Sequence, residues 1–323
     1  FSDITPDPTI HTVAKGIAQM QALRPQVVIG FGGGSAMDTA KGIKALLMTD
    51  IAHVRANQLP PEGKVPHLAI PGTAGTGAET TAVAVLYENG QKLSVDHPAL
   101  LPDGVLLDGS LLDTLPEYHR KSCAMDALAQ GIESWWAKKA TPGSRIHAER
   151  AIRGVLDSLT AYLQGDRKAQ DEMLHAAYES GVAILTTRTT AAHAMSYQIT
   201  KKLGAAHGHA CMLTLPHLWA HLAAQAEYQP MLTELAHILG GEKPMDGAVL
   251  LRGLLAVLEL DKIPMPDDAT LDMLVASVNP ERLGNHPEAL TTAQLRAIYV
   301  QAFTPMTDTE RAEAIAAWEQ YGK

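Results

Sequence analysis

The stretch Val27–Ile43, VVIGFGGGSAMDTAKGI, joins a short apolar run to a helical pattern through three consecutive glycines. The run Val27–Phe31 predicts a buried parallel strand, and the pattern from Ala36 to about Met48 predicts a helix packed on it. The glycines let the backbone approach a phosphate closely, and the helix N-terminus presents unpaired N–H groups to an anion. The spacing is not G-x-G-x-x-G, which excludes a standard Rossmann fingerprint. The stretch therefore predicts a βα unit whose turn binds a phosphate; the alternative is a tight turn without a ligand.

A second stretch repeats this arrangement. His67–Pro71 predicts a strand, and it runs into the Gly/Thr-rich turn of IPGTAGTGAETT (Ile70–Thr81). Since ligands of open α/β sheets bind at the carboxyl ends of the strands, the two loops together predict a pyrophosphate-containing cofactor. Asn89-Gly90 predicts a hairpin turn, and Gly104–Asp108 predicts a further buried strand.

Composition narrows the function classes. The chain has 323 residues, 46% of them hydrophobic, a formal charge of −9 and two cysteines. This length predicts about two domains of ~150 residues. No basic run tracks a nucleic acid, no apolar run is long enough for a membrane span, and two cysteines cannot form a disulfide framework. We therefore expect a cytoplasmic protein that binds neither nucleic acid nor membrane, and that lacks an upstream segment because the chain opens with Phe1.

The composition changes after Pro116, where long helical patterns begin. We predict an α/β dinucleotide-binding domain with a parallel sheet over residues 1–112 and an all-helical metal-binding domain over 113–323. A cleft between them is the expected ligand site.

Four polar side chains in the helical part suggest a metal site. Asp126 and Gln130 are four residues apart in CAMDALAQGIESWW, so both project from one face of a largely apolar helix. A buried carboxylate is costly, and an ion would offset that cost. His193 and His207 would complete a set that suits Fe²⁺ or Zn²⁺. The alternatives are a solvated polar stripe and two surface histidines, with His207 in the turn after a helix that ends at Gly204.

Taken together, these motifs resemble the iron-containing (group III) alcohol dehydrogenase family over nearly the whole chain. FGGGSAMDTAK is similar to the family's cofactor loop, IPGTAGTGAET to its second phosphate-side loop, and LLPDGVLLD to the end of its cofactor domain. MDALAQGIES is similar to the helix with the first two metal ligands, and HAMSYQITKKLGAAHGHA to the segment with the last two. The common order of these motifs makes coincidence implausible.

The resemblance implies a dehydroquinate synthase-like fold, NAD or NADP, and a divalent metal, Fe²⁺ or alternatively Zn²⁺. It implies an oxidoreductase that transfers hydride between nicotinamide and a small primary alcohol or aldehyde. It also implies a homo-oligomer. The implied metal ligands are Asp126, Gln130, His193 and His207. The implied cofactor-binding residues are Gly33, Gly34, Ser35, Asp38, Thr73 and Thr76.

The chain departs from the family pattern at several places, of which Gly72, where threonine is usual, is a minor one. Gln130 stands where most members have histidine, which should weaken metal binding. Tyr197 stands where a second histidine usually follows the third ligand, so Tyr197 or a water would relay the proton. The βαβ segment that normally precedes FSDITPDPT is expected to be missing, which leaves NAD and NADP both open.

One branch of the family suggests a substrate class. DALAQGIESWW and TTRTTAAHAMSYQIT resemble the phosphonoacetaldehyde reductases. Arg188 would then bind the anionic group of the substrate bidentately; the alternative is an exposed arginine at a helix start. Two other functions stay open: a polyol-phosphate dehydrogenase or dehydroquinate synthase-like enzyme, and a metal-free, non-catalytic relative.

Overall fold

The structure, a computed structural model, describes residues 1–61 and 65–322, with the backbone alone at positions 21 and 22. The first third mixes helices and strands: α1 (Ile10–Leu23), β1 (Val28–Gly32), α2 (Gly34–Met48), α3 (Ile51–Arg55), β2 (His67–Pro71), β3 (Val83–Glu88), β4 (Gln91–Asp96) and β5 (Gly104–Val105). Every strand of the described residues lies in this part of the chain.

Two sheets form, and both were predicted. Strands β1, β2 and β5 make a parallel sheet in the order β1-β2-β5, with Val28 opposite His67. Strands β3 and β4 make an antiparallel hairpin. Asn89 and Gly90 connect them at φ 50° and 75°, the left-handed pair that a two-residue hairpin turn requires. The last predicted strand is shorter than expected, because only Gly104 and Val105 pair with β2.

Strand β1 is not fully buried, contrary to the prediction. Ile29 is 54% exposed and Phe31 is 59% exposed, whereas Val28 is buried. β1 lies at the edge of its sheet, and α2 covers only one of its faces, where a side chain at Gly30 would touch Ala40 and Met37. A strand covered on one face alternates between apolar contact and solvent.

From residue 117 on, the described chain is helical. Its helices are α4 (Glu117–Trp136), α5 (Pro142–Leu163), α6 (Arg167–Thr187), α7 (Ala191–Gln198), α8 (His207–Ala223), α9 (Gln229–Leu239), α10 (Asp246–Val257), α11 (Asp268–Ala276), α12 (Pro280–Gly284), α13 (Thr292–Phe303) and α14 (Asp308–Tyr321). A π-helical turn, Ile199–Leu203, extends α7 to Gly204. Helix α8 was predicted to begin at Met212, but it begins at His207, so His207 lies on a helix and not in a turn.

Helix α4 is the centre of the helical part. It packs against α5, α6 and α8, and from Ala124 to Trp136 all its residues are buried. Its apolar residues belong to one large core that includes Trp136, Tyr162 and Trp219. The predicted fold class, a parallel α/β part followed by a helical part, is confirmed. The boundary between residues 112 and 113 stays a prediction. In the described ranges, none of the helices combines the length and apolar character that crossing a bilayer requires.

Candidate metal centre and cofactor cleft

Helices α4 and α8 approach each other unusually closely at Gly208. A methyl group on Gly208 would lie 1.9 Å from the carbonyl oxygen of Ser122 and 2.6 Å from the backbone nitrogen of Asp126. Only a residue without a side chain permits this approach. It brings His207, the residue before Gly208, to the level of Asp126 on the facing helix.

Three of the four predicted metal ligands converge at this crossing. Asp126 and His193 are buried, and His207 is about one-third exposed. Asp126 Oδ1 lies 3.2 Å from His193 Nε2 and 4.0 Å from His207 Nε2. A fourth side chain, Cys211 of α8, belongs to the same cluster, in which the four candidate ligand atoms all lie within 4.8 Å of one another.

Gln130, the remaining predicted ligand, contacts the cluster through its amide nitrogen. Its Nε2 donates to Asp126 Oδ1 at 3.4 Å and to the carbonyl of Thr76 at 3.2 Å. Its Oε1 accepts from the hydroxyl of Ser180 at 2.8 Å. In this arrangement the amide oxygen points away from the two histidines, toward α6.

Sequence reasoning missed Glu133, which orients His193. This buried carboxylate accepts hydrogen bonds from His193 Nδ1, from Thr190 Oγ1 at 2.6 Å and from the backbone N–H of Ala192 at 2.7 Å. The contact leaves His193 Nε2 facing Asp126. A carboxylate behind a ligating histidine is a recurrent feature of metal sites. Glu133 follows Asp126 by seven residues, two helical turns, and that spacing could have identified it.

The charges of the cluster favour a cation. Burial would raise the pKa of Asp126, but His207 and His193 hold it below its usual value. Burial opposes the charge of His207 as well, yet Cys211 and Asp126 raise the pKa of that imidazole to about 9. The groups therefore favour positive charge between them, and a divalent ion that binds there would take the place of protons.

The cluster also fits a metal ion in size. With metal–nitrogen and metal–oxygen bonds of about 2.0–2.2 Å and a metal–sulfur bond of about 2.3 Å, the ligands of a tetrahedral site lie roughly 3.3–3.8 Å apart. The measured separations of 3.2 Å and 4.0 Å from Asp126 lie close to this range. The residues present therefore fit a divalent cation.

The two glycine loops pack against each other, as their places after neighbouring strands predicted. A methyl group on Gly33 would lie 3.2 Å from Thr73, and one on Gly34 would lie 3.1 Å from Thr76. Gly33 caps α2, and Gly34 and Ser35 form its first turn. The N–H groups of a first helical turn have no partner within the helix. The loops thus present free donors beside threonine side chains, which fits the diphosphate of a dinucleotide.

A cleft of about 630 Å³ connects the loops with the cation cluster. Its lining includes Gly34, Ser35, Asp38 and Thr76 of the loops and Asp126, Gln130, His193 and His207 of the helical part, and Thr76 joins the two groups by accepting a hydrogen bond from Gln130. Gly33 and Thr73 are not among the residues that line it. Asp38 is partly buried, and burial raises the pKa of its carboxyl to about 7 despite the nearby Lys41.

Tyr197 and Arg188 both line this cleft. The Tyr197 ring is parallel to the His207 ring at a centroid distance of 6.1 Å, and Lys92 Nζ lies 4.0 Å from its centre. Burial would raise the pKa of Tyr197, but Lys92 and Arg282 bring it below its ordinary value. Arg188 is the residue after α6, and its guanidinium forms an ion pair with Asp96 of β4. It is therefore neither at a helix start nor fully exposed.

Comparison with known proteins identifies the chain. The model for "Iron-containing alcohol dehydrogenase" matches residues 1–109, and that for the "Fe-containing alcohol dehydrogenase family, C-terminal" region matches residues 121–303. The chain belongs to the iron-containing alcohol dehydrogenase family. Enzymes of this family use NAD or NADP and iron. The predicted resemblance is thereby confirmed.

Individual members of the family are moderately similar. The 1-propanol dehydrogenase PduQ of Salmonella typhimurium is 39% identical over 219 residues, which are 67% of this chain and 56% of that protein. The phosphonoacetaldehyde reductase of Streptomyces viridochromogenes is 36% identical over 229 residues, 66% of this chain and 56% of that protein. The chain thus spans a little over half the length of these curated relatives.

Solved structures of the family have the same fold. The sulfoacetaldehyde reductase of Bifidobacterium kashiwanohense, solved with NAD⁺, has a TM-score of 0.85 at 27% identity. The superposition covers 94% of this chain and 83% of that one.

Proposed function

We propose that the protein is a metal-dependent, NAD(P)-linked aldehyde reductase and alcohol dehydrogenase that acts on small primary alcohols and aldehydes. One observation carries the proposal: a buried carboxylate and two histidines from three helices meet in the same cleft as two glycine loops that suit a dinucleotide. Metal binding by Asp126, His193 and His207 rests on their mutual distances, and diphosphate binding by Gly33, Gly34 and Ser35 rests on the free first turn of α2. The cytoplasmic location remains a prediction from the sequence, and the homo-oligomeric state remains one from the family resemblance.

A bound divalent cation would supply Lewis-acid polarisation of a carbonyl or alcohol oxygen, and a nicotinamide dinucleotide would supply or accept the hydride. The side chains of the protein would position these groups and stabilise their charges. Asp126 and the two imidazoles would hold the cation in the cleft. The helix dipole of α2, with the hydroxyls of Thr73 and Thr76, would hold the diphosphate of the cofactor. Burial raises the pKa of Asp38 to about 7, which reduces its repulsion of the diphosphate at neutral pH.

Tyr197 would donate the proton that the reduced carbonyl oxygen takes up. Its phenol lies in the cleft beside His207, and the two nearby cations bring its pKa below the ordinary value. A general acid is most effective when its pKa approaches the working pH. Tyr197 would therefore fill the position in which we expected a proton relay.

We propose that the preferred aldehydes carry an anionic group. Two relatives are named for phosphonoacetaldehyde and sulfoacetaldehyde. Four cationic side chains line the cleft: Lys92, Arg188, Lys201 and Arg282. The ion pair with Asp96 holds Arg188 in place, so its guanidinium would have to bind the substrate anion and Asp96 at the same time.

The test is NADH oxidation and NADPH oxidation by the metal-loaded protein with propanal, phosphonoacetaldehyde and sulfoacetaldehyde. We expect Asp126→Asn, which keeps the side-chain shape, to lose bound metal and to lower kcat/KM by at least about a thousandfold, since cation polarisation is worth several kcal/mol. Undiminished turnover in a metal-free Asp126→Asn protein would refute the proposal.

The same panel tests the substrate class. Arg188→Ala should raise KM for the two anionic aldehydes about tenfold or more and leave KM for propanal nearly unchanged, because a charge-assisted hydrogen bond is worth roughly 1.5–3 kcal/mol. Asp96→Asn is the control, since it breaks the same ion pair and keeps the guanidinium. An equal effect of Arg188→Ala on all three aldehydes would remove Arg188 from the substrate site.

A further inference from the structure

We infer that the Cys211 thiolate, and not the Gln130 amide, is the fourth protein ligand of the metal. The inference deepens the proposed function and rests on its metal site. It assigns a mixed set of one carboxylate, two imidazoles and one thiolate, whose atoms are the four that lie within 4.8 Å of one another.

Helix geometry places the thiol. His207 and Cys211 are separated by one turn of α8, so their side chains lie on the same face, and the contact at Gly208 turns this face toward Asp126. Cys211 Sγ lies 3.8 Å from His207 Nε2, the separation expected of two ligands on one ion when one of them is sulfur. Cys211 is buried, as are Asp126 and His193, so the thiol belongs to the same enclosed cluster.

The amide of Gln130 is already engaged by other groups. Its oxygen accepts from Ser180, and its nitrogen donates to both Asp126 and the Thr76 carbonyl. Turning the amide to offer its oxygen to a metal would set that oxygen against the Thr76 carbonyl and would give up the donation from Ser180. In the arrangement seen here, Gln130 instead steadies Asp126 by hydrogen bonding to the carboxylate oxygen that faces both histidines.

The ligand set has a consequence for metal choice. Thiolate is a soft ligand, and a ligand set that combines sulfur with nitrogen favours zinc and related ions over hard cations such as Mg²⁺. The protein should therefore bind Zn²⁺ and Co²⁺ readily, and Mg²⁺ should not support its activity.

Cobalt reports the ligand directly, because a thiolate bound to Co²⁺ gives a near-ultraviolet charge-transfer band that amide and imidazole ligands do not give. The chelator-treated protein is titrated with Co²⁺ alone. We expect the wild type to develop the band to one equivalent. Cys211→Ser should bind Co²⁺ without the band, and with an affinity lowered by more than the roughly 10–100-fold that losing an outer-shell partner costs.

Two variants serve as controls. Gln130→Ala should retain the band, and so should Cys123→Ala, since Cys123 is the other cysteine of the chain and lies outside the cluster. A wild-type protein that binds Co²⁺ without the band, or a band that survives in Cys211→Ser, would overturn the inference and leave the proposed metal site intact. A wild-type protein that binds no Co²⁺ would overturn both.

X-ray absorption of the Zn²⁺-loaded wild type needs no variant and so does not depend on the folding of Cys211→Ser. One sulfur neighbour at about 2.3 Å, beside nitrogen and oxygen at about 2.0–2.2 Å, is the expected result. A shell of nitrogen and oxygen alone would contradict the assignment.

Discussion

Gly208→Ala is the substitution that most directly tests how the fold builds the proposed metal site. The added methyl carbon would lie 1.9 Å from the Ser122 carbonyl oxygen and 2.7 Å from Asp126 Cβ, whereas Cβ atoms essentially never approach other heavy atoms within 3.0 Å. The obstructing atoms belong largely to the α4 backbone and cannot turn away. Helices α4 and α8 must therefore separate locally by about 1 Å.

A displacement of this size should lower metal affinity strongly and the free energy of unfolding only moderately. Metal–ligand distances in a working site vary by only about 0.2 Å, so moving His207 by 1 Å relative to Asp126 removes a ligand. We expect Zn²⁺ affinity to fall by at least about 100-fold. The overpacking itself should lower the free energy of unfolding of the metal-free protein by about 1–3 kcal/mol.

The assay is Zn²⁺ competition with a chromophoric chelator, combined with thermal unfolding in the presence and absence of Zn²⁺. Gly143→Ala is the matched control, because Gly143 lies in the exposed first turn of α5, where an added methyl meets nothing closer than 3.9 Å. It should change stability by no more than about 0.5 kcal/mol. A Gly208→Ala protein that binds Zn²⁺ within twofold of the wild type would show that the close helix contact does not set the ligand geometry.

Two further predictions concern buried carboxylates. Glu133→Gln should weaken Zn²⁺ binding about 10–100-fold by removing the acceptor that orients His193, as measured in the same competition; Glu179→Gln, which alters a glutamate–histidine pair away from the cleft, should leave the affinity unchanged. The second concerns pH: burial raises the pKa of Glu79 from 4.5 to about 7, so the folded state holds a proton that the unfolded state releases, and stability falls as pH rises through this window. Between pH 5 and pH 8, Glu79→Gln should reduce this loss of unfolding free energy by up to about 3 kcal/mol. The measurement is the denaturation midpoint of the wild type and of the variant at both pH values. An equal change in midpoint in the two proteins would contradict the assignment.

Periodicity and local turn chemistry account for the features that the sequence predicted correctly. Strand β2 was predicted with the bounds that the structure has, and the Asn89-Gly90 hairpin follows from the left-handed preference of those two residues. The two glycine loops followed from strand order, since parallel neighbours end at the same edge. The three converging ligands Asp126, His193 and His207 followed from the family resemblance more than from spacing.

The predicted start of α8, at Met212, was wrong. It left His207 and Cys211 outside the helix, whereas in the structure Cys211 lies one helical turn after His207 and on the same face. No capping side chain marks this helix start, because Ala206 is the residue before it. The usual sequence signature of a helix N-terminus, a side-chain oxygen at the cap, is thus missing.

The sequence by itself determined the order of elements and the apolar faces, because each of these depends on residues a few positions apart. The three candidate metal ligands Asp126, His193 and His207 were identified by the family resemblance. Only the tertiary structure decided what Glu133, Gln130, Cys211 and Arg188 touch. Each of these contacts joins groups from different elements. Such contacts depend on helix crossing distances, above all the one at Gly208, and on side-chain rotations that no local pattern specifies.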